Sequence, residues 1–203
     1  MNTRYQQDGE RWRRHFYEVL SRHEYAEPLR QSINTPQPKT TWTTYLTKAV
    51  VEASRLCAWQ CAAKGYELPL LPIPNEEYLA LDGMAFEVLP TPTAIAPAWH
   101  FPCAVFELEN GDDRRVAYSL WKVLSVRSVL RVVIGYRQTP EEAKNLTHFL
   151  SDAVVKVNPP ALRQQIDGET LVVIGARSER EHFPDGFFKW WRLNPNTGIF
   201  ERV

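Results

Sequence analysis

Cys103-Ala-Val-Phe-Glu-Leu-Glu109, a turn at Asn110-Gly111-Asp112, the segment Val116 to Arg127, and Leu130-Arg-Val-Val-Ile-Gly-Tyr136 together decide the fold. The first piece alternates as a β-strand does, with Ala104, Phe106 and Leu108 on one face and Val105, Glu107 and Glu109 on the other. Val116 to Arg127 reads as a helix, and the β-branched run from Leu130 to Tyr136 as a buried strand. Strand, helix and strand in that order predict a right-handed parallel crossover. The fold class expected is α/β (α+β), with a mixed central sheet flanked by helices.

Downstream, Thr139-Pro140-Glu141-Glu142 places a cap, a proline and two acids where a helix begins, and this helix is expected to reach about Val155. Asn158-Pro159-Pro160 ends it. Leu171 to Ala176 reads as another buried strand, and Phe187 to Val203 as a hairpin around Pro195-Asn196-Thr197-Gly198.

Upstream, residues 8–23 show an amphipathic stripe of Trp12, Phe16, Val19 and Leu20. Residues 28–40 are rich in proline, threonine and asparagine and read as a loop. Thr40 to Lys64 reads as one long helix, with Trp42, Tyr45, Leu46, Ala49, Val50, Ala53, Leu56, Cys57 and Gln60 at helical spacing and Gly65 at its C-terminal cap. After prolines 69, 72 and 74, Tyr78 to Asp82 alternates as a strand, Gly83 permits a bend, and Met84 to Leu89 continues it. A Pro-rich link spans Pro90 to Pro102. This gives an N-terminal helix and loop over residues 1–40 and a single α/β domain over residues 41–203.

The chain has 203 residues, is 44% hydrophobic and contains seven tryptophans, enough to build a core. It contains no apolar run of about eighteen residues, so no membrane span is expected. The first 14 residues are polar and lack the apolar stretch of a secretory signal. Cys57, Cys61 and Cys103 form no C-x-x-C pair, which suits a reducing compartment and a cytoplasmic location.

Net charge is zero, but its distribution is uneven. From Gly65 to Asp113 there are nine acids and no lysine or arginine, and from Arg114 to Arg137 six basic residues and no acid. Either the two halves pair as surface salt bridges, or an acidic floor that holds a cation lies beside a helix offering positive charge to phosphates.

Glu107 and Glu109 share a strand face, and carboxylates held side by side resist ionising unless a cation intervenes. Asp82 closes an apolar segment and is either a turn aspartate or a third oxygen donor. Glu52 lies at the edge of the long helix's apolar stripe, where it either points outward or turns in. Lys122 follows on the next helix, as a solvated lysine or as a partner for these acids. Magnesium accepts two or three carboxylates and keeps several waters, so such a set would suffice for it.

A helix carrying an acid, then strand-Asp, strand-Glu-x-Glu, helix and strand resembles the PD-(D/E)XK nuclease superfamily. The residues that carry the resemblance are Glu52, Asp82, Glu107, Glu109 and Lys122, within residues 41 to 137. Leu81 stands where the superfamily has proline. Glu109 fills the usual lysine position, and some members resemble this chain in that respect or carry the lysine on the following helix. The resemblance implies a restriction-endonuclease-like core and a Mg²⁺-dependent endonuclease acting on DNA, with Mn²⁺ as a substitute. It implies Asp82 and Glu107 as principal ligands, Glu109 as auxiliary ligand or base, Lys122 as electrostatic partner, and Glu52 as a weak third or outer ligand. Glu107→Ala and Asp82→Ala are expected to stop turnover and leave the fold intact. The altered motif also fits a catalytically inactive binding or scaffold subunit, alone, as a homodimer or in a larger complex.

The histidines lack zinc-hydrolase spacing, and neither a G-x-S-x-G nor a G-x-x-x-x-G-K-[ST] motif occurs. Arg11, Arg13 and Arg14 form the wet face of the first helix or touch phosphates. Phe187-Phe188-Lys189-Trp190-Trp191-Arg192 reads as a single-strand stacking surface, a core-packing strand or a dimer contact.

Overall fold

The computed structural model describes residues 3–34, 39–87 and 97–203. Its elements are α1 (Thr3–Ser21), α2 (His23–Asn34), α3 (Lys39–Leu56), β1 (Trp59–Ala63), β2 (Gly83–Glu87), β3 (Ala104–Leu108), α4 (Asp113–Leu124), β4 (Leu130–Arg137), α5 (Pro140–Leu150), α6 (Pro160–Arg163), β5 (Glu169–Ala176), β6 (Phe188–Asn194) and β7 (Ile199–Arg202). The seven strands form one mixed sheet in the order β1-β2-β3-β4-β5-β6-β7. The two central pairings, β3–β4 and β4–β5, are parallel and the others antiparallel.

Sequential strand order puts both crossover helices on one face, because two parallel crossovers of the same hand that progress in one direction land on the same side. Val116, Leu120 and Val123 of α4 and Ala143, Leu146 and Leu150 of α5 pack there on Val105, Val133, Val172 and Ile174. The other face must find its cover elsewhere, and the N-terminal helices supply it. Trp12, Phe16, Leu29, Trp42, Leu46 and Ala53 bury against Ala104, Phe106, Val132, Val173 and Trp190. Helices α1 and α2, which belong to the segment expected apart over residues 1–40, thus contribute to the main core. Trp12 stacks on Phe16 at 4.8 Å and meets Phe106 at 5.2 Å.

The segment expected as a loop over residues 28–40 is helical to Asn34. Pro28 lies inside α2, yet Ala26, Leu29 and Ile33 give the helix a buried stripe. That tertiary burial outweighs an interior proline's cost of about 3 kcal/mol.

The long helix also ends earlier than Lys64. Ala58 takes φ 59°, the left-handed conformation that closes a helix, and β1 follows at once. No glycine marks the break, and the burial of Trp59, Ala62 and Ala63 departs from the helical stripe that Ala53 and Cys57 would continue. Gly65 instead turns the chain out of β1 with φ 83°. Ala58 is exposed and loses no packing on truncation. Ala58→Gly is therefore expected to stabilise the protein by about 1 kcal/mol in urea denaturation, since the Cβ strain disappears. A loss of stability would refute that.

Tyr78 to Asp82 is not a strand. Leu79 and Ala80 both sit at φ 55°, and a Leu81 N–H to Tyr78 carbonyl bond of 3.0 Å closes a turn. Strand β2 begins only at Gly83, and the part of the expected strand beyond Glu87, like the start of the Pro-rich link, lies outside the described residues.

The other elements match their expected places. Thr139 caps α5 through its Oγ1 to the Glu142 N–H, although the last turn, Ser151–Val155, widens into a π-helix. The Phe187–Arg192 run is a core-packing strand, with Phe188, Trp190 and Trp191 buried. No described helix is long and apolar enough to cross a membrane.

Candidate functional site

Glu107 lies on β3 opposite Val133 of β4, on the face covered by α4. It is only 3% exposed. Ser119 and Lys122, one turn apart on α4, both reach down to it. The Ser119 hydroxyl donates to Oε2 at 2.8 Å, and the Lys122 ammonium stands 2.7 Å from Oε1. That ammonium also donates to the Ala80 carbonyl at 2.9 Å. The Oε1 contact is an ion pair without a well-directed hydrogen bond, so this buried oxygen holds charge contact only.

Asp82 precedes β2 and turns toward the end of β3. Its Oδ2 accepts the Leu108 N–H at 2.7 Å, which places the Asp82 carboxylate beside the residue that follows Glu107. Both acids stand above the ordinary carboxylate range. For Glu107 the largest cause is burial, opposed by Lys122 and Ser119 and reinforced by the charge on Asp82. For Asp82 it is again burial, opposed by the Leu108 N–H and Lys122 and reinforced by Glu109. The two carboxylates therefore sense one another, and a cation between them would relieve both burdens.

Glu109 is near enough to disturb Asp82, but its own Oε1 turns back to accept the Gly111 N–H at 2.6 Å. A Cβ on Gly135 would come within 2.6 Å of the Glu109 carbonyl oxygen, so the glycine in the β4 run lets the end of β3 lie close. Beyond Glu109, a cleft of about 590 Å³ opens at the C-terminal ends of β3 and β4, lined by Gly111, Asp112, Asp113, Arg114, Arg137 and Phe149.

Glu52 takes no part in this cluster. Its helix, α3, packs on the opposite face of the sheet, with Phe106 and not with Glu107. There Arg55 donates to both its oxygens at 2.8 Å and Arg22 to one at 3.0 Å. Those guanidinium bonds, Arg55 foremost, hold its carboxyl below the usual range. The helical stripe alone could not reveal which face of the sheet α3 would cover. Arg11 and Arg13 are likewise occupied inside the fold, Arg11 with Asp8 and over Trp59, Arg13 near Glu10 and over Trp190.

Among the described residues, no three His, Cys, Asp or Glu side chains form a ready metal cage. The set that does converge is Asp82, Glu107, Lys122 and Ser119, with Glu109 at its edge.

No known protein family, curated protein or solved structure matches this chain.

Ser119 was not singled out from sequence. Its signal was there: it lies in the buried stripe Val116, Ser119, Leu120 and Val123, and a polar residue in such a stripe seeks a partner across the interface. The Asp82–Leu108 bond gives a direct expectation. Asp82→Ala leaves that N–H without its acceptor and should cost about 1–3 kcal/mol, whereas Asp82→Asn keeps an acceptor and should cost about 1 kcal/mol or less. Chemical denaturation of the two variants checks this; equal losses would show that the bond carries no weight. The fold is thus expected to weaken in Asp82→Ala, because the lost acceptor costs more than the relieved repulsion returns.

Proposed function

We propose that this chain is a Mg²⁺-dependent nuclease that hydrolyses phosphodiester bonds in DNA. The observation that carries the reading is the meeting of Asp82, from the start of one strand, with Glu107, from the end of its neighbour, beside the Lys122 ammonium. The order α3-β1-β2-β3-α4-β4, with β3 parallel to β4, is consistent with the PD-(D/E)XK resemblance.

The donor set suits magnesium. It consists of carboxylate oxygens from the turn before β2 and from β3, with Glu107 buried and Asp82 nearer the surface, where water could fill other coordination positions. Asp82 and Glu107 would hold the ion, and Glu109 would join by releasing the Gly111 N–H. When bound, the ion supplies a more acidic water and offsets charge on the scissile phosphate.

The protein's own groups do the rest. Ser119 fixes the Glu107 carboxylate through Oε2. Lys122 balances Glu107 in the free protein and is close enough to move to a phosphate oxygen when substrate enters. Arg114, at the mouth of the adjoining cleft, offers positive charge to the flanking backbone. Cysteines 57, 61 and 103 are all free, and burial pushes the Cys61 and Cys103 thiols up to about 12. Inert free thiols fit a reducing cytoplasm.

A second reading has one observation in its favour. The ammonium that spans Glu107 and the Ala80 carbonyl already balances the buried acid without a metal, which suits a nuclease-like fold that binds without cutting. Plasmid and oligonucleotide cleavage, run with Mg²⁺, with Mn²⁺ and with chelator, decides between them. Cutting that needs metal and stops with chelator supports the nuclease. No cutting with either metal, together with no heat in a Mn²⁺ titration, supports the binding subunit.

A further inference from the structure

Helix α4 places two large rings in solvent directly beside the acid pair. Tyr118 is 60% and Trp121 56% exposed, and they stack at 5.9 Å with 21° between their planes. Paired exposed aromatics of this size seldom stand on a surface without a partner. Arg114 lies one turn before Tyr118 on the same outward stripe, and Lys122 places its ammonium 5.5 Å from the Tyr118 ring. That same ammonium is the one paired with Glu107. A shallow groove of about 170 Å³ runs on from Trp121 along Leu124, Ser125, Leu162 and Ile166.

We propose that the Tyr118–Trp121 face stacks the unpaired bases of a single DNA strand, so that the substrate is a single strand, a flap or a frayed end and not an intact duplex. The inference rests on the nuclease reading and adds the substrate class to it. Charge argues for this occupant. The rings sit within the stretch from Arg114 to Arg137 that contains no acid, and Asp113, the nearest carboxylate along the helix, is bound by Arg137 at 2.7 Å. Alternating aromatic and cationic side chains are what a base and its phosphate require, since every base has a π-face. In a duplex those faces are already stacked and cannot reach α4. Lys122 joins the two functions, because a phosphate drawn to it from a stacked nucleotide arrives next to Glu107.

The test is fluorescence anisotropy of labelled oligo(dT) and of a blunt duplex of equal length, with the full chain in chelator so that nothing is cut. Wild type should favour the single strand. Tyr118→Ala/Trp121→Ala should weaken oligo(dT) binding by about ten-fold or more and erase the preference, while Trp121→Phe should retain most of it. Unchanged binding by the double variant, or a duplex preference in wild type, overturns the proposal. So does a sedimentation shift showing that the substitutions merely separate two copies of the chain. Single-strand binding through the rings without cleavage by wild type leaves the platform standing and removes the nuclease, and duplex cleavage indifferent to the double variant does the reverse.

Discussion

Glu107→Gln is expected to lower metal-dependent cleavage by about a thousand-fold or more, at a stability cost of about 1–3 kcal/mol that leaves the protein folded. The catalytic loss follows from the role assigned to this carboxylate. A ligand that places a divalent ion against the phosphate is worth several kcal/mol of transition-state stabilisation, and each 1.36 kcal/mol is a factor of about ten. The modest structural effect follows from the burial of the side chain. Burial raises the Glu107 carboxyl, so a neutral side chain of the same shape recovers part of a desolvation cost and offsets part of the lost ion pair. The glutamine carbonyl can face Lys122 while its amide donates to the Ser119 hydroxyl oxygen. Glu107→Ala is the poorer probe, despite the expectation from sequence, because it strands Ser119 and Lys122 above a cavity. Single-turnover cleavage, Mn²⁺ calorimetry and urea denaturation read the three consequences. Retained cleavage by a folded Glu107→Gln would remove the residue from the chemistry.

Lys122→Met should destabilise the protein by about 3 kcal/mol at neutral pH, and the deficit should shrink as the solution is acidified. Breaking a buried pair leaves an uncompensated charge, which is costly. Here Glu107 is 3% and the Lys122 side chain 18% exposed, so solvent screens the survivor poorly. The sign of the pH effect comes from the raised carboxyl. A native acid whose pKa exceeds its unfolded value carries no penalty below the unfolded value, and stability is lost as pH rises toward the folded one. Removing Lys122 pushes Glu107 further up and extends that window toward neutrality. As pH falls toward the ordinary glutamate range, the raised Glu107 carboxyl takes up its proton in both proteins and the gap should narrow. A deficit that is constant with pH would show that Lys122 acts through its Ala80 contact or its packing alone.

Much of the fold was legible in the sequence, and the reasons are particular. The 103–136 unit combined a clean two-residue alternation with a strong helical stripe, and its strand faces came out as read, with Val105 and Glu107 toward α4. What sequence hid were left-handed residues that are not glycine. Ala58, Leu79 and Ala80 carry positive φ without a local signature, so one helix seemed too long and one turn seemed a strand. The site was legible in part. Asp82, Glu107 and Lys122 meet, but Glu52 does not join them, because periodicity says that a helix has a buried stripe and not which layer receives it.

The strands lie side by side in the order in which they are made, yet the two ends of the chain meet in one aromatic cluster. The Trp190 indole donates to the Tyr17 hydroxyl at 2.7 Å, across 173 residues. During synthesis, each strand from β2 to β7 can join a neighbour already present, which keeps most pairings local. The oily side of α1 can settle early on α3 and on Phe106, but its edge against Trp190 is closed only when β6 is made. The aromatic cluster is therefore finished late, and nascent chains cut short before residue 188 should leave part of it open for chaperones to hold.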